Sequence, residues 1–506
     1  MATVTSGYVK TVNYEATNEK QGLRGILHYF TNGVQDVLLS SPLTPLHSLA
    51  KSTVLSILKN IKQGRLSIVS LGETYEFGEP FTLRTSGPPT DLKATIKVVD
   101  ENFWTRVFLH TDFGFADAYM LGEIEVEDFN LNNAFRIFIL NRKRLSEMHT
   151  WATPFIRTAS YIANTRLANG LAGSRSNISA HYDLPNELFT GFLSWDLTYS
   201  GAVFDEEAKG AWGDLLEERP IAPPRLSYLQ DRTIPADDLE RGQLEKLHRM
   251  CKRARLRPGC KVLEIGCGWG SFAIMAAGTY GCTVETLTIS VEQKIAVDKT
   301  IAEAGLSHMI NVHVLDYRSM PESFHHAFDA AISIGVMEHI GLEFMGGWFK
   351  KMAWALKPEN SFKVFTMTTV PDSRWEQYSG EVDFIRKYIY PGGQLSSLRT
   401  LIDHIADAGL NLETVENIGP HYPRTLREWS YRFQRNFDDH IKVGLQNRHP
   451  DLTQEEIEIF RRKWIYYFAY SEAGFAMNNL SDSMVTVTRE ANLNLGREVQ
   501  GMVYEY

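Results

Sequence analysis

The residues best suited to chemistry in this 506-residue chain stand in one short run, Val262-Leu-Glu-Ile-Gly-Cys-Gly-Trp-Gly270. Glycines at 266, 268 and 270 alternate directly after an apolar stretch and before a helical one. Only residues without a side chain let a backbone turn this tightly and let a ligand lie against it. A dinucleotide loop would want its third glycine one place later, where this chain has Ser271. Glu264, two residues ahead of the first glycine, is suited to accept from a ligand ammonium group. That combination favours S-adenosylmethionine as the cofactor. The second strand ends Thr286-Leu-Thr-Ile-Ser290, without the carboxylate that ordinarily holds ribose hydroxyls.

The elements around this loop alternate. Lys261-Val-Leu-Glu-Ile-Gly reads as a strand running into a turn, Ser271-Phe-Ala-Ile-Met-Ala-Ala as a helix, Cys282-Thr-Val-Glu-Thr-Leu as a strand and Val291 to Ala304 as a helix. Asn311-Val-His-Val-Leu, Ala330-Ala-Ile-Ser-Ile and Phe362-Lys-Val-Phe-Thr read as further strands. Strands alternating with helices imply right-handed crossovers and a doubly wound, mostly parallel sheet, with ligands at the carboxyl ends of its strands. The expected fold is therefore α/β, a Rossmann-like class I methyltransferase domain.

A chain of this length is expected to hold two domains. A smaller α+β domain over 41–164 is read from the runs Arg65-Leu-Ser-Ile-Val-Ser, Thr74-Tyr-Glu-Phe, Ala94-Thr-Ile-Lys-Val-Val and Thr105-Arg-Val-Phe-Leu, all of β type and separated by Gly, Pro and Asp turns. Ahead of them Thr44-Pro45 opens an amphipathic helix, which packs on its own domain or presents Lys51, Lys59 and Lys62 to a lipid surface. The small, polar 165–180 stretch reads as a linker, 181–506 as the catalytic domain, and residues 1–40 as an extension without a reading of their own.

Composition narrows the function classes. With 43% apolar and 22% charged residues the chain is an ordinary globular one. A net charge of −9 argues against nucleic acid as a partner, and leaves peripheral docking at a membrane open. No run approaches the roughly 18 apolar residues of a membrane span, and the start has no secretory pattern. Cytoplasm is the expected compartment. Cys251, Cys260, Cys267 and Cys282 show no metal-ligand spacing and are read as reduced thiols, with no metal site.

The missing strand-end carboxylate points to one family. Leu287-Thr-Ile-Ser-Val-Glu-Gln293 resembles the equivalent segment of the cyclopropane-fatty-acyl-phospholipid synthases, which include the mycolic acid methyltransferases. His181-Tyr-Asp, Leu197-Thr-Tyr-Ser200, Asp316-Tyr-Arg318, Glu338-His-Ile-Gly341, Phe384 to Gly393, Asn417-Ile-Gly-Pro-His-Tyr422 and Tyr466 to Phe475 are similar to the family's motifs, in order. Thr111-Asp-Phe-Gly-Phe-Ala-Asp-Ala-Tyr-Met-Leu-Gly-Glu123 looks like the signature of the extra, lipid-engaging domain of full-length members. The resemblance implies cofactor contacts at Tyr199, Ser200, Gly266, Gly268, Gly270, Thr288, Gln293, Asp316 and Tyr317, with Gln293 as the polar hold in place of the carboxylate.

It also implies alkylation of a carbon–carbon double bond in an unsaturated acyl chain. An alkene is a poor nucleophile, so catalysis rests on positioning and on stabilising a carbocation; aromatic faces such as Trp195, Tyr199, Phe204, Trp269, Tyr388, Tyr390, Tyr422 and Trp429 suit that task. The family is understood to use bicarbonate as a base, held by a cysteine, a glutamate, a histidine and a tyrosine. Glu338 and Tyr422 stand in two of those places, as catalytic candidates. Gly201 and Phe365 stand in the other two, or Thr366 if the alignment carries a one-residue gap, and Ser471 replaces a further cysteine. These departures weaken the expectation of bicarbonate and leave the product open between a cyclopropane and a methyl or methylene branch. Two other readings are a carbon or nitrogen methyltransferase of a specialised metabolite, and a lipid-binding protein that has lost the chemistry. Oligomeric state is open, a homodimer included.

Overall fold

The computed structural model describes residues 45–83, 89–126, 131–147, 184–215, 237–490 and 492. The first 40 residues, the 165–180 stretch and the His181-Tyr-Asp motif lie outside them.

Among the described residues helix α1 (Pro45–Leu58) comes first, burying Ala50 and Val54 against helix α2 (Asn102–Met120). Strands β1 (Arg65–Ser70) and β5 (Lys93–Val98) bury alternate side chains, as half-covered strands do. They pair in parallel, flanked by β2 (Glu73–Phe77) and β6 (Ile124–Val126) in the order β2-β1-β5-β6; β3 (Thr82–Leu83) and β4 (Thr90–Asp91) make a separate two-stranded pair. The run Thr105 to Leu109, expected as a strand, is instead part of helix α2 (Asn102–Met120). The Asp100 carboxyl accepts from the Asn102 N–H at the start of that helix, and burial of Phe103, Trp104, Thr105 and Arg106 outweighs local β-propensity. The helix breaks at Thr111, with φ at 50°, and doubles back so closely that a Cβ on Gly114 would lie 2.2 Å from the Arg106 carbonyl oxygen. That contact accounts for the glycine within the Thr111–Glu123 motif.

Helix α3 (Leu131–Glu147) completes this module, and α4 (Asn186–Phe192) and α5 (Asp238–Arg253) lead into the second sheet. Its strands are β7 (Lys261–Ile265), β8 (Thr283–Thr288), β9 (Ile310–Val314), β10 (Ala330–Ile334), β11 (Phe362–Val370), β13 (Leu410–Asn417) and β14 (Ser481–Arg489), with β12 (Ser396–Ser397) appended to β11. They run in the order β13-β14-β11-β10-β7-β8-β9. All neighbours pair in parallel except β14, antiparallel to both β11 and β13. Helices α6 (Ser271–Gly278), α7 (Val291–Glu303), α8 (Leu342–Ala355), α9 (Asp372–Gly380) and α10 (Leu398–Asp407) form the connections, and this is the doubly wound, mostly parallel sheet expected. The order reverses between β7 and β10, whose carboxyl ends therefore open a crevice.

Helices α11 (Tyr422–Arg435), α12 (Lys442–Arg448) and α13 (Gln454–Ala476) cover one end. Thr453 and Glu456 form a capping box at the start of α13, each satisfying a backbone donor that the first turn leaves free. This helix also receives the amino-terminal module. Arg462 donates to the Tyr119 and Ile124 carbonyls at 2.5 and 2.7 Å, and Arg136 pairs with Glu472 at 3.3 Å. One apolar cluster consequently runs from Trp104 and Phe135 through to Tyr466 and Phe468.

Candidate functional site

The glycine loop lies at the crevice, with φ of 87°, 49° and 92° at Gly266, Gly268 and Gly270, values that residues with a side chain rarely adopt. A Cβ on Gly266 would stand 2.4 Å from Val336 Cγ2, whereas one on Gly268 would meet nothing within 4 Å. The loop therefore has a rigid side against β10 and an open side that can receive a ligand. Glu264 lies beneath it, its Oε2 accepting from Thr286 Oγ1 at 2.5 Å; burial pushes its carboxyl up to about 8, and a bound ammonium group would reverse that cost. At the end of β8, Thr288 Oγ1 donates to Gln293 Oε1 at 2.7 Å and Ser290 caps α7 by accepting from the Gln293 N–H. Glu264, the glycines, Thr288 and Gln293 thus line one region, whose open loop and acidic floor fit S-adenosylmethionine.

Asp316 and Tyr317 border the same space. Arg318 donates to both Asp316 oxygens, at 2.9 and 2.6 Å, and holds that carboxyl below its ordinary range. Ser200 is buried and accepts from Lys246 Nζ at 2.5 Å. The Tyr199 hydroxyl is bound to those of Tyr390 and Tyr467. Burial raises all three phenols above their ordinary range, so they present neutral hydroxyls and aromatic faces.

A continuous cavity of about 2760 Å³ joins this region to the amino-terminal module, whose Phe103, Phe108 and Phe138 line its far wall. A single small ligand needs roughly 300–1,000 Å³. Of the aromatic residues singled out in the sequence, Tyr199, Trp269, Tyr388, Tyr390 and Tyr422 line this cavity, while Trp195, Phe204 and Trp429 do not. Tyr388 also donates to Asp117 at 2.6 Å, which ties the wall to the Thr111–Glu123 motif.

Glu338 follows β10 and reaches the middle of the cavity, where its Oε1 accepts from the Thr368 N–H at 2.8 Å. Burial raises its carboxyl, opposed by that hydrogen bond. Tyr422 opens α11 and stacks on Phe475 at 4.2 Å between ring centroids. A Cβ on Gly201 would stand 2.7 Å from the Tyr422 ring. Phe365 does not belong to the site, because it points to the opposite face of β11, packed on Trp348 and Phe349. Thr366 is its neighbour on the cavity side.

Sequence reasoning missed Lys246, Thr368, Tyr467 and Asp482, all within or beside this cavity. Lys246 carried a readable signal, a lysine in the apolar row of Leu239, Leu247 and Met250 on α5, all buried. Among the described residues no helix is long and apolar enough to cross a membrane, and no group of potential metal ligands occurs.

One relative, the tuberculostearic acid methyltransferase UfaA1 of Mycobacterium tuberculosis, is 30% identical over 76% of this chain and 81% of its own length. The cyclopropane-fatty-acyl-phospholipid synthase of Escherichia coli is 27% identical over 78% and 88%, and the sphingolipid C9-methyltransferase 1 of Gibberella zeae 24% over 84% and 74%. The solved structure of mycolic acid cyclopropane synthase CmaA1 complexed with SAH and CTAB covers 62% of this chain and 98% of its own, at 22% identity and a TM-score of 0.47. Residues 171–483, which include the glycine loop, Glu338 and Tyr422, match the family model described as mycolic acid cyclopropane synthetase; the chain belongs to that family and is an S-adenosylmethionine-dependent methyltransferase acting on lipids.

Proposed function

We propose that this methyltransferase alkylates the double bond of an unsaturated acyl chain, carried by a membrane phospholipid, to give a cyclopropane or a methylene-branched product. The observation that carries this reading is the cavity, which runs from the glycine loop past Glu338 to the phenylalanine-lined amino-terminal wall and is far larger than the cofactor needs. S-adenosylmethionine, when bound, supplies an electrophilic methyl group on a sulfonium. Glu264, Thr288 and Gln293 would hold its polar parts, with Gly268 leaving the room. Tyr199, Tyr390 and Tyr422 would line the reacting carbons with faces that stabilise a cation while offering no basic atom to trap it. Glu338 would act from the middle of the cavity, as a base or as the partner of one.

The experiment is incubation of the full chain with labelled S-adenosylmethionine and a total lipid extract, followed by mass spectrometry of the acyl chains. A gain of one CH2 unit, with loss of the double bond or its replacement by a methylene branch, is expected. Glu338→Gln should lower that yield by about a hundredfold or more while cofactor binding persists in calorimetry. Label confined to small polar products would overturn the lipid acceptor in favour of a metabolite methyltransferase, and absence of cofactor binding would leave only lipid binding.

A further inference from the structure

Two carboxyl groups converge on one residue of the sheet. Thr368 on β11 donates its N–H to Glu338 and lies directly opposite Asp482 on β14. Residues opposed in an antiparallel pair send their side chains to the same face, with Cβ atoms about 5 Å apart, and here Thr368, Glu338 and Asp482 all line the cavity. The turn that delivers Tyr422 also holds Asp482. Its backbone carbonyl accepts from the Ile418 N–H at 2.8 Å, and a Cβ on Gly419 would collide with its backbone nitrogen at the same distance. Asp482 Oδ2 lies 3.3 Å from where a Cβ on Gly201 would stand, so the glycine leaves room for the carboxyl. Glu338 Oε2 is buried and has no hydrogen-bond partner among the described residues.

The groups facing Asp482 are Glu338, Lys246 and Tyr422. Burial, then the Glu338 charge, pushes Asp482 up to about 7, opposed by Lys246. Lys246 is itself drawn down to about 8 by burial, opposed by Asp196 and Asp482. Like charges facing one another in a buried site oppose each other's ionisation, so burial and the Glu338 charge together keep the Asp482 carboxyl protonated up to about 7. The place is ill suited to a bicarbonate: its negative charge would face two carboxyl groups, Gly201 offers no side-chain donor, and Phe365 points away from the cavity, which leaves the Thr366 hydroxyl and the Lys246 ammonium, already bound to Ser200 and Gln243, as donors on this side.

We propose that Asp482, facing Glu338 across Thr368, is the proton acceptor of the reaction, and that the protein's own carboxyl replaces any external anion. This rests on the reading of double-bond alkylation above. Once a methyl group has been added to one carbon of the former double bond, the neighbouring carbon is a cation. Asp482 takes a proton from the added methyl group, and the electron pair of that C–H bond closes a three-membered ring onto the cationic carbon. When a hydride first moves from the methylated carbon to its neighbour, loss of a proton from the same methyl group leaves a methylene branch on the open chain instead. In both cases the proton ends on Asp482 and passes to solvent. Nothing is oxidised or reduced beyond the alkylation itself.

The test uses the full chain, vesicles of monounsaturated phosphatidylglycerol, and the variants Asp482→Asn and Asp482→Gly, each checked for a cooperative melt and for cofactor binding by calorimetry. Wild-type turnover should be the same in carbon-dioxide-free buffer as with added bicarbonate, and should rise with pH through about 7. Asp482→Asn should keep cofactor affinity within about threefold and lose about a hundredfold or more in turnover, with the rise near pH 7 gone. Formate should restore part of the activity of Asp482→Gly and none to Asp482→Asn, whose amide fills the space. In the cofactor-free protein, infrared difference spectra should show a carboxyl band titrating near pH 7 that Asp482→Asn removes. Undiminished turnover in Asp482→Asn, or a wild type that needs added bicarbonate, would overturn the proposal alone. A wild type that alkylates no acyl double bond, while still binding the cofactor, would overturn the underlying reading and the proposal with it.

Discussion

The two ends of the cavity are built in different ways. The end proposed to hold the cofactor draws Glu264, the three glycines, Thr288 and Gln293 from one unit, β7 through the start of α7, with Asp316 and Tyr317 bordering it just after β9. The end proposed to handle the proton draws Gly201, Glu338, Thr368, Tyr422 and Asp482 from five separated stretches, brought together by the pairing of β11 with β14 and the turn before α11. A site made from consecutive chain depends on local backbone geometry and tolerates little change. A site assembled across a sheet can move a function from one strand to its neighbour while keeping the same atoms in reach. Of the two departures from the family pattern, Gly201 falls at the second end, whereas Phe365 lies on the other face of β11.

The largest effect is expected where geometry is local. Gly266→Ala would force a side chain onto a residue at φ 87° and drive its Cβ to 2.4 Å from Val336 Cγ2. S-adenosylmethionine affinity, measured by calorimetry, should fall by at least about a hundredfold, roughly 2.7 kcal/mol, with the β10 side of the loop displaced. Normal binding by this variant would break the comparison, since the cofactor end would then not depend on its backbone.

That difference also explains what could be read from the sequence. The strand expected over Cys282 to Leu287 is β8, shifted by one residue, and the Val291 helix starts where expected, because each is set by its own periodicity and caps. The strand expected to end at Thr366 continues to Val370. Of its four added residues, Met367-Thr-Thr are paired with Ser483, Asp482 and Ser481 of β14, and nothing in their own polarity announces that partner. Asp482 is hidden for the same reason: its role is set by Thr368 across the strand and by Gly201 and Glu338 elsewhere in the chain. The error at Thr105 is of another kind, a β-branched and aromatic run made helical by the burial of Phe103 and Trp104.

A pair of neighbouring substitutions sharpens the comparison at intermediate size. Phe365→His would place an imidazole against Trp348 and Phe349 in the core under α8, at a cost of about 2–4 kcal/mol read from denaturant unfolding. Thr366→His would project into the cavity, leaving unfolding within about 1 kcal/mol and acting on turnover instead. A reversal of these two outcomes would mean that the strand face had been read in the wrong register and that Phe365, not Thr366, meets the substrate.

The smallest effect belongs to Gln293. Its side chain accepts from Thr288 and its N–H is capped by Ser290, so the residue is fixed at the end of β8, where a carboxylate would ordinarily meet the ribose. A neutral amide contributes one or two uncharged hydrogen bonds, each worth about 1 kcal/mol. Gln293→Ala should therefore weaken S-adenosylmethionine binding by roughly five- to thirtyfold, within that range of energies, and leave the pH dependence near Asp482 untouched. Gln293→Glu, which restores a carboxylate at the same reach, should bind at least as tightly as the wild type. If Gln293→Ala instead matched Gly266→Ala in its loss, the grip on the cofactor would lie in side chains rather than in the loop, and the cofactor end would be as open to exchange of residues as the end that carries Asp482.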